Sequence, residues 1–280
     1  MNQDQVAPVA GGETRNLRTR IIAALVLAPA AIAVAWTGGP LWIGLVTLAA
    51  IGLYVEWLTI VGAAQDKRTV AAGITALVVS SLCLGLGHSG YSLVVLIIGA
   101  ATVPAISRRM RLWSAAGFGY AAAAEFASAQ VRLDGDYGFI ALMFVLLVVW
   151  AADIGGYFAG RGIGGPKLWP RVSPKKTWSG AVGGFAGGLA VAAGFAAFDL
   201  GRLAPLLLLA AFLSIVSQSG DLFESAVKRR FGVKDSSQII PGHGGLLDRL
   251  DGFVAAIVFA AFIGFLSGDA DGIGHALMVW

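Results

Sequence analysis

The sequence predicts an all-α, polytopic integral membrane protein of about nine transmembrane helices, and three observations predict it. First, 57% of the 280 residues are hydrophobic and only 13% charged, with a mean hydropathy of +0.78. A soluble domain carries about a quarter charged residues, so most of this surface must face lipid. Second, the apolar runs are continuous rather than alternating and approach the roughly 20 residues that span a bilayer; only helices or closed barrels satisfy their backbone there. Third, the cations lie on one side. With the connections numbered alternately, all of the 20 Lys and Arg residues except Arg132 and Arg202 fall on the same side. The positive-inside rule makes that side cytosolic and places the N-terminus there.

Residues 1–20 form a polar segment carrying both charge signs, as disordered chain does. The membrane domain, 21–280, divides into spans at 21–36, 41–62, 69–87, 90–107, 112–130, 137–159, 179–198, 203–220 and 252–268. Ala28-Pro29-Ala30 faintly resembles a signal cleavage site, but Asp4 and Glu13 in the leader and the many later spans favour a first transmembrane helix. Cys83, the single cysteine, lies in an apolar run and reads as a small buried hydrophobe; no internal disulfide can form. The outer connections are short. Two inner ones, 160–178 and 221–251, are long, and chemistry on a membrane scaffold collects in such loops.

Within 221–251, Asp221, Ser225, Lys228 and Arg229 share one face of a helix continuing from the eighth span. Pro241, Gly242, Gly244 and Gly245 then break regular structure and let backbone approach a ligand. Asp248 and Asp251 follow, with Arg249 between them, and His243 and Lys234 lie nearby. Carboxylates together with substrate phosphates are how Mg²⁺ is usually held. Lys and Arg then bind the remaining phosphate oxygens. The mixture suits phosphoryl or nucleotidyl transfer, where positioning and charge neutralisation supply most of the rate. The bland alternatives are an N-cap at Asp251 and an anionic-lipid patch at Lys228–Arg230.

The second candidate segment is 153–180. At 1.5 Å per residue, Asp153 lies roughly 24 Å along the sixth span, near its inner end, and a carboxylate there is a functional candidate. Glu56 in the second span has a similar depth and a weaker case. Ser173, Lys175, Lys176 and Thr177 place hydroxyls and ammonium groups at a helix N-terminus, where anions are favoured; the Walker pattern is absent. These residues alone leave three functions open: nucleotidyl transfer, nucleotide-dependent phosphorylation of a lipid alcohol with His243 or Asp153 as base, and transport of an anion. A transporter would place its site at the midplane within repeats, and no repeat is visible.

The run from Ser225 to Asp251 resembles the signature of the phosphatidate cytidylyltransferases, the CDP-diacylglycerol synthases. It supplies Ser225, Val227, Lys228, Arg229, Lys234, Asp235, Ser237, Ile240, Pro241, His243, Gly244, Gly245, Leu246, Asp248, Arg249, Leu250 and Asp251. Ser173 to Thr177 and Trp150 to Arg161 also resemble that family, although Ser179 stands where the family commonly has Glu. The resemblance implies that CTP and phosphatidate give CDP-diacylglycerol and pyrophosphate at the cytosolic side of the plasma (inner) membrane. It also implies a paired-cation site, Mg²⁺ with K⁺ as candidate second cation, on Asp221 and Asp248, with Asp251 as a further ligand. Ser173, Lys175, Lys176 and Thr177 would take CTP phosphates, with Ser225, Lys234 and Asp153 as further substrate contacts. Lys228, Arg229 and Arg249 would clamp the lipid phosphate or leaving group, and His243 would contact phosphate or donate a proton. No nucleic acid partner is expected, and the oligomeric state, a homodimer included, is left open.

Overall fold

The computed structural model describes residues 26–237, 244–267 and 272–279. The polar leader and His243 lie outside them. The helices are α1 (Val26–Thr37), α2 (Gly39–Ile60), α3 (Lys67–Gly85), α4 (Ser89–Ile106), α5 (Arg111–Leu133), α6 (Gly138–Gly162), α7 (Trp178–Ala197), α8 (Leu203–Arg230), α9 (Leu247–Ser267) and the short α10 (Ile273–Met278). They coincide closely with the apolar runs of the sequence. Seven of them, α2, α3, α4, α6, α7, α8 and α9, are long and apolar enough to cross a membrane. The described part of α1 is shorter, and α5, with Glu125 and Arg132, is more polar. Large apolar side chains such as Leu48, Leu82, Ile97, Leu208, Phe262 and Phe265 are exposed on the bundle surface. That is the inversion expected when the surrounding solvent is lipid.

Two cores meet along α2, α5 and α9. One packs Val145, Val148, Leu206, Leu213, Ile257 and Leu277; the other packs Leu53, Trp57, Leu77, Phe118 and Leu247. Lipid tails are as apolar as Leu, so helices in a membrane associate through close packing at small residues. Here α6 and α7 do so. A Cβ on Gly155 would lie 2.6 Å from Gly183 O, and one on Gly184 would lie 2.6 Å from Ala152 O. The same holds between α8 and α9, where a Cβ on Gly220 would approach Asp251 O to 2.8 Å. These backbone approaches register α6 against α7 and α8 against α9; α6, α8 and α9 carry candidate residues, and β2 leads into α7.

As the spacing of Asp221, Ser225, Lys228 and Arg229 predicts, α8 runs unbroken to Arg230, past the apolar span; two other features differ from the sequence expectation. The segment 160–178, read as a loop, contains an antiparallel hairpin of β1 (Lys167–Trp169) and β2 (Ser173–Thr177), with Lys167 opposite Thr177 and Trp169 opposite Ser173. Strands this short carry no alternation to be read. Finally, α9 begins at Leu247 rather than 252, so Asp248 occupies its first turn and Asp251 lies inside the helix. Asp251 is therefore not an N-cap.

Candidate active site

The site forms where β2, the end of α8 and the start of α9 converge. Thr177 ends β2 in extended conformation, and its Oγ1 accepts the Gly180 N–H at 3.1 Å, capping α7. The Ser179 hydroxyl donates to the Gly164 carbonyl and lies 3.0 Å from Thr177 Oγ1. A serine thus ties the hairpin base to α7 at the position where the related signature commonly has Glu. Lys176, half-buried on β2, reaches Asp221 on α8, with Nζ 2.5 Å from Oδ2. That ion pair joins the two segments singled out in the sequence. Asp221 Oδ1 also accepts a 3.4 Å bond from Ser225 Oγ one turn on.

Asp153 on α6 lies within electrostatic range of Asp221 and Lys176, and Asp251 on α9 within range of Asp221, Glu224 and Asp153. Asp153, Asp221 and Asp251 therefore form an acidic group drawn from three helices, with the hairpin lysine beside Asp153 and Asp221. Close by, Lys228 Nζ sits 2.6 Å from Asp248 Oδ1 and 2.7 Å from Glu224 Oε2. The Asp248 carboxylate further accepts the Ser236 N–H, the Ser236 hydroxyl at 3.0 Å and the Gly245 N–H at 3.0 Å. Asp248 so ties Ser236 and Gly245 to the start of α9.

One residue that the sequence ranked low organises Ser236, Ser237 and the start of α9. Glu56 of α2 is 1% exposed and accepts four hydrogen bonds. Oε1 takes the Ser237 hydroxyl at 2.6 Å and Leu246 N at 2.8 Å, while Oε2 takes the Ser236 hydroxyl and Leu247 N, both at 2.8 Å. The two amides belong to the start of α9, whose first N–H groups have no partner within the helix. Glu56 caps that helix from another one, and its charge suits the N-terminal dipole. A Cβ on Gly245 would overlap the Ser236 hydroxyl and lie 2.6 Å from Glu56 Oε2, and Gly244 adopts φ 87°; both positions need glycine. Glu224 was also missed. Its signal was its placement four residues before Lys228, the favourable order for a helical ion pair.

The remaining candidates are placed as follows. Lys175 is exposed on β2, and Ser173 begins that strand. Lys234 is exposed beyond α8. Arg229 Nη1 donates to Val233 O at 3.2 Å, closing the α8 C-terminus, so in this arrangement it serves the chain turn. Arg249 lines an apolar cavity of about 480 Å³ between α1, α2, α6 and α9. An aromatic cluster fixes the helices beside the site: Trp57 stacks on Tyr120 and Phe223 and donates to Trp113 O at 2.8 Å.

Among the described residues, no three acidic, His or Cys side chains converge as a metal cage. The donor set nonetheless fits Mg²⁺ as it is usually bound, by one or two carboxylates with substrate phosphates completing the shell. Asp221, partly exposed and already matched to an ammonium group, and Asp251 have the hard oxygens for it. Both Asp248 oxygens are engaged by Lys228, Ser236 and Gly245.

A helical membrane bundle with carboxylates and lysines gathered at one end defines a class, the membrane-embedded enzymes that handle phosphorylated substrates. More particularly, the chain belongs to the Cytidylyltransferase family, whose profile matches residues 18–266. It is 41% identical over 265 residues to the phosphatidate cytidylyltransferase of Brucella suis biovar 1, covering 91% of this chain and 96% of that protein. The phosphatidate cytidylyltransferase of Bacillus subtilis is 44% identical over 140 residues, 48% of this chain and 51% of that one. That of Pseudomonas aeruginosa is 47% identical over 126 residues, 44% and 46% respectively. The resemblance read from residues 225–251 is borne out.

Proposed function

We propose that this chain transfers the cytidylyl group of CTP to phosphatidate, giving CDP-diacylglycerol and pyrophosphate. Family membership over nearly the whole chain supports the reaction. The observation that carries its location is the Lys176–Asp221 ion pair, which brings the hairpin and α8 to one place. In the reaction, a phosphate oxygen of phosphatidate attacks the α-phosphorus of CTP. The new P–O bond forms as the bond to the β-phosphate bridging oxygen breaks, and pyrophosphate leaves. The nucleophile is already an anion, so no side chain has to deprotonate it; the chain must hold two anions together and stabilise the leaving group.

The residues divide that work. Lys175 and Lys176 on β2, with Ser173 at its start, offer cationic and hydroxyl donors to the CTP phosphates, while Thr177 fixes the strand to α7. Lys228, held between Glu224 and Asp248, presents a positioned ammonium group, and Arg249 stands where an apolar cavity meets the site end of α9, suiting a lipid phosphate. Ser225, Lys234, Arg229 and His243 are candidates for the remaining contacts. Asp221 and Asp251 would hold Mg²⁺, with Asp248 joining them on exchange of Lys228 and K⁺ as candidate second cation; bound there, the ion neutralises phosphate charge. In the cell we place nine spans in the plasma membrane, the N-terminus and the site being cytosolic, on the one-sided cations.

Purified protein given phosphatidate, Mg²⁺ and CTP labelled in cytidine should transfer that label to lipid, and EDTA should stop it. Label reaching lipid from the γ-phosphate of CTP instead would establish a kinase and overturn the reading. A narrower expectation concerns Lys175, exposed on β2. A hydrogen bond to a charged group contributes about 1.5–3 kcal/mol, so Lys175→Ala should raise the KM for CTP roughly tenfold or more and leave that for phosphatidate unchanged. An unchanged KM for CTP would remove Lys175 from the nucleotide site.

A further inference from the structure

On the same face of the bundle, the turn joining α2 to α3 meets the turn joining α4 to α5. Asp66 holds them together. Its Oδ1 accepts Arg68 N at 3.2 Å and Thr69 N at 3.5 Å, capping α3, and its Oδ2 accepts Thr69 Oγ1 at 3.0 Å and Arg108 N at 3.1 Å across the gap. The Arg108 amide, aided by the cap, lowers the Asp66 pKa below the usual carboxylate value, so the clasp stays ionised at neutral pH. The result is a recess of about 620 Å³ lined by Gln65, Asp66, Lys67, Arg68, Arg108 and Arg109.

Four cations thus share one recess with a single carboxylate whose oxygens are turned to backbone amides. Through their side chains, Lys67, Arg68, Arg108 and Arg109 make no hydrogen bond or ion pair to any described residue. Marking a cytosolic side needs only that cations lie on it, not that they be gathered into a hollow where they repel one another. An anion in the hollow would relieve that repulsion, and the α3 N-terminus adds a favourable dipole. The recess lies at the C-terminal ends of α2 and α4, where spanning helices leave the apolar layer, and basic clusters in that position bind anionic headgroups. None of the residues of the carboxylate–lysine site lines it. We propose that this recess is a second, non-catalytic site for a phosphate-bearing anion, presented as a phospholipid headgroup or as free phosphate.

The test uses the purified full chain in a neutral detergent, with the double variants Arg108→Gln/Arg109→Gln and Lys67→Gln/Arg68→Gln beside wild type. Thermal unfolding is followed during titration with dioctanoyl phosphatidylglycerol, with inorganic phosphate at matched ionic strength, and with dioctanoyl phosphatidylcholine. Wild type should be stabilised by phosphatidylglycerol or by phosphate but not by phosphatidylcholine. Each double variant should need tenfold or more ligand for the same shift, as removal of two cations near a headgroup implies. Basal cytidylyl transfer should stay unchanged. Response to phosphatidylglycerol alone identifies a headgroup site, and equal response to phosphate a small-anion site. The proposal is overturned if wild type responds to neither, or if both variants respond at the wild-type concentrations. Because the four side chains are exposed and come from two turns, a folding failure in one variant leaves the other to decide.

Discussion

Asp221→Asn should lower cytidylyl transfer about 10³-fold or more while the protein still folds and inserts. The substitution keeps volume and shape, and the Ser225 hydroxyl retains an acceptor on the amide oxygen. What it removes is one negative charge at a side chain that is 32% exposed, opposite Lys176. A partly exposed ion pair contributes at most about 1 kcal/mol to stability, so unfolding should hardly move. The catalytic loss is larger because a preorganised charge in the site acts where charge develops; removing one such group costs about 10²–10³ in rate, and here it also takes a ligand from Mg²⁺. Asp248→Asn gives the contrasting pattern. Its carboxylate receives Lys228, Ser236 and Gly245, so that variant should lose stability along with turnover. The measurement is product formation beside thermal unfolding for both proteins. Turnover of Asp221→Asn within a few-fold of wild type would remove Asp221 from the reaction.

Most of the helices were legible in the sequence because lipid demands continuous apolar runs, and such runs need no tertiary context to be seen. The onward course of α8 was legible too, from the helical spacing of Asp221, Ser225 and Lys228. What that spacing does not reveal is direction. Asp221 does bond Ser225, but Lys228 turns away to Glu224 and Asp248, a choice set by α9 packing beside α8. The start of α9 was missed for a related reason. Leu247 to Asp251 mixes apolar and charged residues, and the cap that makes it helical comes from Glu56, far away in the chain. The hairpin at 167–177 was missed for another reason: its two strands are of three and five residues, too short to show an alternation. Within the site, residue types announced the chemistry, while the pairings that organise it depend on contacts between distant segments.

Glu56→Gln should therefore disorder the site although Glu56 makes no contact with the acidic group around Asp221. The carboxylate receives four donors, and each oxygen takes one serine hydroxyl and one backbone amide. A glutamine offers one oxygen and one NH₂ group in the same space. The serine facing the NH₂ can rotate and accept. The backbone N–H cannot, so either Leu246 N or Leu247 N meets a second donor in a pocket where Glu56 is 1% exposed. A buried donor left without an acceptor costs about 1–3 kcal/mol, and the lost charge also weakens the cap on the α9 dipole. The strain falls on Ser236, Ser237 and the first turn of α9, which together position Asp248 and, through it, Lys228. Amide exchange at residues 233–237 and 244–250 should accelerate in Glu56→Gln and stay at the wild-type rate in Asp221→Asn, with turnover falling in both. A Glu56→Gln protein that keeps both its turnover and its protection in this loop would show that α9 holds its own N-terminus, and Glu56 would lose its positioning role.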